Sequence, residues 1–303
     1  MRKIYFSFIA VLAVCLTLTV SAFAWLNISN ITLVEGIYLK AGSGDLLELS
    51  LDGITYNKTL DQNRIKNSLK NLKIKPISTN DGKTFYTNPY QKNDAQARKN
   101  IDYMSFEIWF RITPEENISD ESVYKDIYLV NHQQVTYEQK ENAKGTFITS
   151  KGKQFKSDID FKLSEETEIK KTKVNTYYAK DAMRIGVVSN DETKFILDPS
   201  GVEKNNYAYG ALDYYNKKMQ THLIPPVNHI ETITELSVLS KNKANTIEDN
   251  KSHITTLEKK DNSYIGRATI NIWLEGWDPY ALDAIIKDNV YIQLEFIAVI
   301  KEN

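Results

Sequence analysis

Between residues 103 and 112 an apolar side chain stands at every second position. Met104, Phe106, Ile108, Phe110 and Ile112 fall on one face, and Ser105, Glu107 and Arg111 on the other. Successive side chains of an extended chain point to opposite faces, so this spacing specifies a half-buried strand and is incompatible with a helix, whose repeat is 3.6. The same rhythm returns in residues 45–51, 158–163 and 183–187. Near the end it recurs where Ala268, Ile270, Ile272 and Leu274 oppose Arg267, Thr269, Asn271 and Trp273, and again at Val290, Ile292, Leu294, Phe296 and Ala298. Helical spacing is confined to residues 59–72, with Leu60, Ile65, Leu69 and Leu72, and to short candidates at 279–287 and 231–239. That leaves too few helices to cover a parallel sheet on both faces. The expected fold is mainly β: an antiparallel β-sandwich with jelly-roll or Greek-key connections, a few short helices and an N-terminal apolar helix.

Two regions interrupt the strand pattern. Residues 113–145 are polar around a small apolar island, Ile127-Tyr128-Leu129-Val130, and residues 199–262 read as a long loop excursion. The excursion opens on Pro199-Ser200-Gly201 and contains Pro225-Pro226 and a charged run over 241–260. A loop that long is either functional or mobile.

The chain starts with Arg2 and Lys3, an apolar run from Ile4 to about Val20, and small residues at Ala22 and Ala24. This is the three-part pattern of an export signal. The expected organisation is a signal peptide or N-terminal membrane anchor over 1–24 and a β-sandwich ectodomain over 25–303. Either way the body is expected to be extracellular or on the outer face of the cytoplasmic membrane, touching the membrane only through the N-terminal segment. The single cysteine, Cys15, falls inside that segment, so the ectodomain has no thiol for a disulfide, a zinc cluster or a nucleophile. Without Arg2 and Lys3 the chain has 36 basic and 39 acidic side chains, a formal charge of −3. Such a balance gives no broad attraction for phosphate backbones, and no nucleic-acid partner is expected.

Catalytic chemistry has no recognisable carrier. His132, His222, His229 and His253 occur singly, and the chain lacks HExxH, GxSxG, a phosphate-binding glycine loop and an EF-hand sequence. No catalytic residue, cofactor or metal is expected. Asp191, Asp198 and Asp213 have the chemistry to bind calcium, but no spacing that requires it.

The run Trp273-Leu274-Glu275-Gly276-Trp277-Asp278-Pro279-Tyr280 joins aromatic rings to two carboxylates. Its local reading is a strand end at Gly276 followed by a helix, with Asp278 as N-cap, Pro279 as first helical residue, and Leu282, Ile285 and Ile286 facing the sheets. Trp273 and Trp277 are then expected to cover the rim of the core. Their alternative role, with Tyr280, is a surface for glycan rings or a neighbouring subunit. Tyr207 and Tyr209, within Tyr207-Ala208-Tyr209-Gly210-Ala211-Leu212-Asp213-Tyr214-Tyr215, form a second candidate contact cluster on a loop.

Three pieces of the chain carry a resemblance. They are Ala24-Trp25-Leu26-Asn27 after the signal, the strand over 182–188 leading to Phe195-Ile196-Leu197-Asp198-Pro199, and the ending Ile272 to Pro279. They are similar to a group of exported bacterial proteins without assigned function, of low-GC Gram-positive type. The N-terminal design also resembles the TasA and camelysin surface proteins, a family of β-sandwich fold that includes biofilm fibre subunits; camelysin's protease activity carries over to no residue here. The leading expectation is a non-enzymatic cell-surface or extracellular-matrix protein acting by protein–protein contact, with itself as partner in a fibre. Its apolar residues 25–34 would then serve as a donated strand. The alternatives are a carbohydrate-binding surface module for cell-surface glycan and, third, an extracellular hydrolase.

Overall fold

The computed structural model describes residues 33–299 apart from short stretches at 43–45, 61–71 (of which 63, 65 and 69 are described), 88–89, 91–94, 115–124, 202–205, 227–229 and 241–245. The expected signal or anchor at 1–24, its apolar helix, and residues 25–32 lie outside the described residues.

Two sheets are organised around the two strands richest in alternating apolar residues. The first centres on β19 (Asn289–Val299). One side of β19 pairs antiparallel with β8 (Asp126–Leu129) and β9 (Phe147–Ser150), and the other pairs parallel with β1 (Leu33–Ala41). β16 (His253–Thr256) extends this sheet beyond β8, and β3 (Thr59–Leu60) beyond β1. The second sheet centres on β18 (Ser263–Glu275). On one side lie β17 (Glu258–Lys260) and then β14 (Met183–Ser189), with β15 (Glu192–Leu197) outside. On the other side lies β7 (Met104–Ile112), with β2 (Leu47–Ser50) outside. The C-terminal end of β18 pairs parallel with β4 (Pro76–Ser78), which leads into β5 (Tyr86–Thr87) and β6 (Ala95–Gln96).

The sheets share one core, as a sandwich does. Ala268, Ile270, Ile272 and Leu274 of β18 point into it, and Phe110 of β7 meets Phe296 of β19 edge-on, with ring centroids 5.4 Å apart. The outer faces are covered too. Trp273 lies in a second cluster with Ile77, Phe85, Tyr103 and Ile196, under the β4–β6 flap. Tyr128, Val130, Ile297 and Val299 form a third, with Leu239 and Ile247 packed on it. Burial on both faces is why β14 and β19 are apolar nearly throughout, where an exposed face would alternate.

Several expectations are corrected. The sheets are mixed, because β1 and β4 join parallel. The strand expected at 158–163 shrinks to β11 (Phe161–Lys162), paired only with β12 (Glu168–Ile169). A further hairpin joins β10 (Lys153–Lys156) to β13 (Val174–Tyr177). The island at 127–130 is an interior strand, β8. The segment expected as a helix over 231–239 is extended instead, making single bridges from Ile233 to Leu197 and from Ser237 to Val130. A helix does form in the excursion, α1 (Ala211–Met219), where the sequence reads as a tyrosine-rich loop. Of the helical candidate at 59–72, Thr59 and Leu60 are β3, Ile65 is buried, and most of the rest lies outside the described residues.

Candidate functional site

The WLEGWDPY run ends β18 and forms a hub. Trp273 is fully buried, and its Nε1–H donates to Glu275 Oε2 at 3.0 Å. The backbone N–H of Trp277 donates to Glu275 Oε1 at 3.2 Å. Asp278, fully buried, accepts from Arg184 Nη2 at 2.5 Å and from the Tyr280 backbone N–H at 2.9 Å. Arg184 reaches it from β14, donates to the Met183 carbonyl, and pairs with Asp198 at 3.0 Å. These bonds explain the lost helix. Asp278 spends one oxygen on a short turn and the other on Arg184, and the Pro279 carbonyl accepts the Ala211 N–H. The chain coils only as a 3-10 turn over Asp283–Lys287, capped by no side chain.

Burial alone opposes a charged guanidinium, but Asp278, Asp198 and Glu275 outweigh it and hold Arg184 protonated more firmly than a free arginine. Burial pushes the Glu275 carboxyl up, although Trp273 and Arg184 pull the other way. Asp278 and Asp198 therefore neutralise a buried cation, and Glu275 faces it as a carboxyl that burial biases toward its protonated form. The cavity beside Glu275, bounded also by Ser78 and Tyr207, is about 20 Å³, room for one water and not for a sugar ring.

A raised glutamate stabilises the fold in its protonated form. That contribution is complete below about pH 4.3, the ordinary glutamate value, and is lost as pH rises through the elevated one. Thermal unfolding of Glu275→Gln and the parent protein between pH 4 and 8 is expected to show the parent losing stability relative to the variant as pH rises. A constant difference would place the titration elsewhere.

On the other side of the hub lies a groove of about 710 Å³. Its floor is Gly276, Ala281, Leu282 and Ile286; one wall is α1, through Tyr214, Tyr215 and Lys218; the other carries Lys73, Lys75 and Arg98. Tyr90 closes one end, donating its hydroxyl to the Gly276 carbonyl at 2.8 Å, and burial pushes its phenol well above the usual range. Its ring meets Trp277 and Tyr215, each at 5.0 Å between centroids, giving a continuous aromatic row. α1 is set against the hub by Gly210, at φ +64°, whose added Cβ would stand 2.0 Å from the Pro279 carbonyl oxygen. Only glycine permits that approach.

The groove's charge is lopsided. Arg98 and Lys75 share the buried Asp102, at 3.1 and 3.3 Å. Although burial pushes the Asp102 carboxyl up, its bonds to Arg98 and then Lys75 bring it below the usual range. Lys218 bonds the Tyr214 hydroxyl at 2.8 Å and pairs with Asp158 at 3.4 Å. Lys73 is exposed and makes no ion pair among the described residues. Among the described residues Asp283 is the one carboxylate lining the groove.

The five contact residues expected from sequence do not form one surface. Trp273 is core, deeper than the rim expected of it, with no ring face left for a ligand. Trp277 backs the groove through Tyr90, and Tyr280 is half-buried against the main core. Tyr207 borders the small cavity at Arg184, and Tyr209 lies 5.7 Å from the Lys162 ammonium. Sequence reasoning missed Tyr90, Lys73, Lys75, Arg98 and Lys218. The available signal was the four-residue spacing of Asp213 with Lys217 and of Tyr214 with Lys218, which marks a helix. Asp198 serves Arg184, Asp213 pairs with Lys217 at 2.8 Å, and among the described residues no three His, Cys, Asp or Glu side chains are grouped to hold a metal. No protein-family model, curated protein or solved structure matches the chain.

Proposed function

We propose that this is an exported, non-enzymatic binding protein that works by contact, and that a saccharide of the cell surface or matrix occupies the groove between α1 and the end of β18. The observation that supports this reading is the groove itself: an open concavity of ligand-site size with Tyr90 and Tyr215 on its wall and apolar residues on its floor. Tyrosine suits such a ligand, because the ring faces pack on the apolar side of a sugar while the hydroxyls stay hydrogen-bonded. The fibre reading draws on residues 25–34 as a strand to donate. Leu33 and Val34 are already paired with Asn289 and Val290 inside their own sheet, which favours the groove over strand exchange. Titration of the purified ectodomain against a saccharide panel is expected to give saturable binding that Tyr215→Ala weakens about tenfold, equivalent to about 1.4 kcal/mol. Binding unaffected by Tyr215→Ala, or no binding across the panel, would remove the groove from this role.

A further inference from the structure

Resting on the reading of the groove as a saccharide site, we propose that its ligand is an acidic saccharide, whose carboxylates are met by Lys73, Lys75, Arg98 and Lys218 while its rings lie along Tyr90 and Tyr215.

The argument begins with charge placement. The whole chain is nearly balanced, with formal net charge −1, yet among the described residues four cations and a single carboxylate line this one concavity. Set against them are Asp283 and the neighbouring Asp102 and Asp158, so an excess of one positive charge remains among the described residues. Asp102 serves both Arg98 and Lys75, Asp158 serves Lys218, and Lys73 stands without an acidic partner among the described residues. A cleft with an excess of one sign and low-dielectric walls concentrates its field on whatever enters, so the groove favours anions.

The geometry also separates the two kinds of contact. Lys73, Lys75 and Arg98 come from the segments flanking the β4–β6 flap, and Lys218 comes from α1, so cations stand on both walls. Between them lies the apolar floor of Ala281, Leu282 and Ile286. A chain of rings with charges projecting from its edges matches that pattern; a compact anion would use one wall and leave the floor wet. Arg98 spends its Nε and Nη2 edge on Asp102, at 3.1 and 3.5 Å, and meets a ligand carboxylate through its outer Nη edge, whereas the lysines act as point charges. A single-stranded nucleic acid also has rings and charge. It fits less well, because the surface outside the groove has no basic excess to follow a phosphate backbone.

The experiment uses the ectodomain and four probes measured by calorimetry at two salt concentrations. These are an oligogalacturonate (rings with carboxylates), a malto-oligosaccharide (rings without charge), inorganic polyphosphate (charge without rings) and oligo-dT (rings with phosphates). The oligogalacturonate is expected to bind most tightly and to weaken as salt rises. Lys73→Gln and Lys218→Gln are each expected to weaken it about threefold, the effect of one exposed charge contact. Lys259→Gln, on β17 at the opposite end of β18, is expected to leave it unchanged. Equal binding of the neutral oligosaccharide, insensitive to both lysine variants, would overturn the acidic ligand and keep the saccharide groove. Preference for polyphosphate or oligo-dT would overturn it in favour of a phosphate ligand. Absence of binding by every saccharide would remove the underlying reading as well.

Discussion

Asp278→Ala is expected to cost about 3–5 kcal/mol of stability, because it leaves the Arg184 guanidinium buried without its nearest counter-charge. Arg184 and Asp278 are 2 % and 0 % exposed at the side chain, and their bond is 2.5 Å long. Asp198 at 3.0 Å and the Met183 carbonyl remain, so the loss is partial. The second consequence is local. Asp278 also accepts the Tyr280 N–H, and its backbone carbonyl accepts the Ala281 N–H, so the turn that carries the groove floor loses one of its ties. Urea unfolding checks the first expectation, and Arg184→Leu with the double variant checks the coupling. Single losses that merely add in the double variant would mean that the pair is not an energetic unit.

Trp273→Ala is expected to cost a similar amount, about 3–5 kcal/mol. The ring is fully buried, meets Phe85 edge-on at 5.0 Å, and sits over Gly186, where an added Cβ would come within 3.0 Å of it. Removing it opens a cavity between the β4–β6 flap and the second sheet and takes away one of the donors to buried Glu275. Trp273→Phe keeps much of the volume and loses the donor, so its cost is expected to be smaller, about 1–3 kcal/mol. Denaturant midpoints give the magnitudes. Hydrogen exchange gives the location: protection is expected to fall first in residues 76–87, and loss spread evenly over the molecule would contradict the flap as the dependent element.

The mainly β architecture was legible because burial writes itself into the sequence with a period of two. β7 and β18 each present one apolar row to the main core, and those rows are visible without a structure. What was hidden follows from long range. Nothing local announces that β1 lies parallel to β19, since that pairing joins segments far apart in the chain. Asp278-Pro279 reads as a helix start by every local rule, and the reading fails because Arg184, 94 positions earlier, claims the carboxylate. The groove was illegible for the same reason. Its cations come from residues 73, 75, 98 and 218, each an ordinary surface charge in its own neighbourhood, and only the meeting of the flap with α1 brings them together. The aromatic stretch at 207–215 drew notice for its tyrosines; its contribution is a helix whose Tyr214 is buried and whose Tyr215 and Lys218 face the groove.

The parallel seam between β1 and β19 also sets a clock. Residues 33–41 find their longer neighbour only once residues 289–296 have been made, some 250 positions later, and β8 and β9 wait on the same strand. At about 5–20 residues per second, a ribosome leaves the β19 edge of the early strand open for roughly 12–50 s, with only the two-residue pairing to β3 on its other edge. A nascent chain of this protein therefore spends most of its synthesis without its first sheet. Any chain cut short before residue 289 loses the strand on which that sheet is assembled.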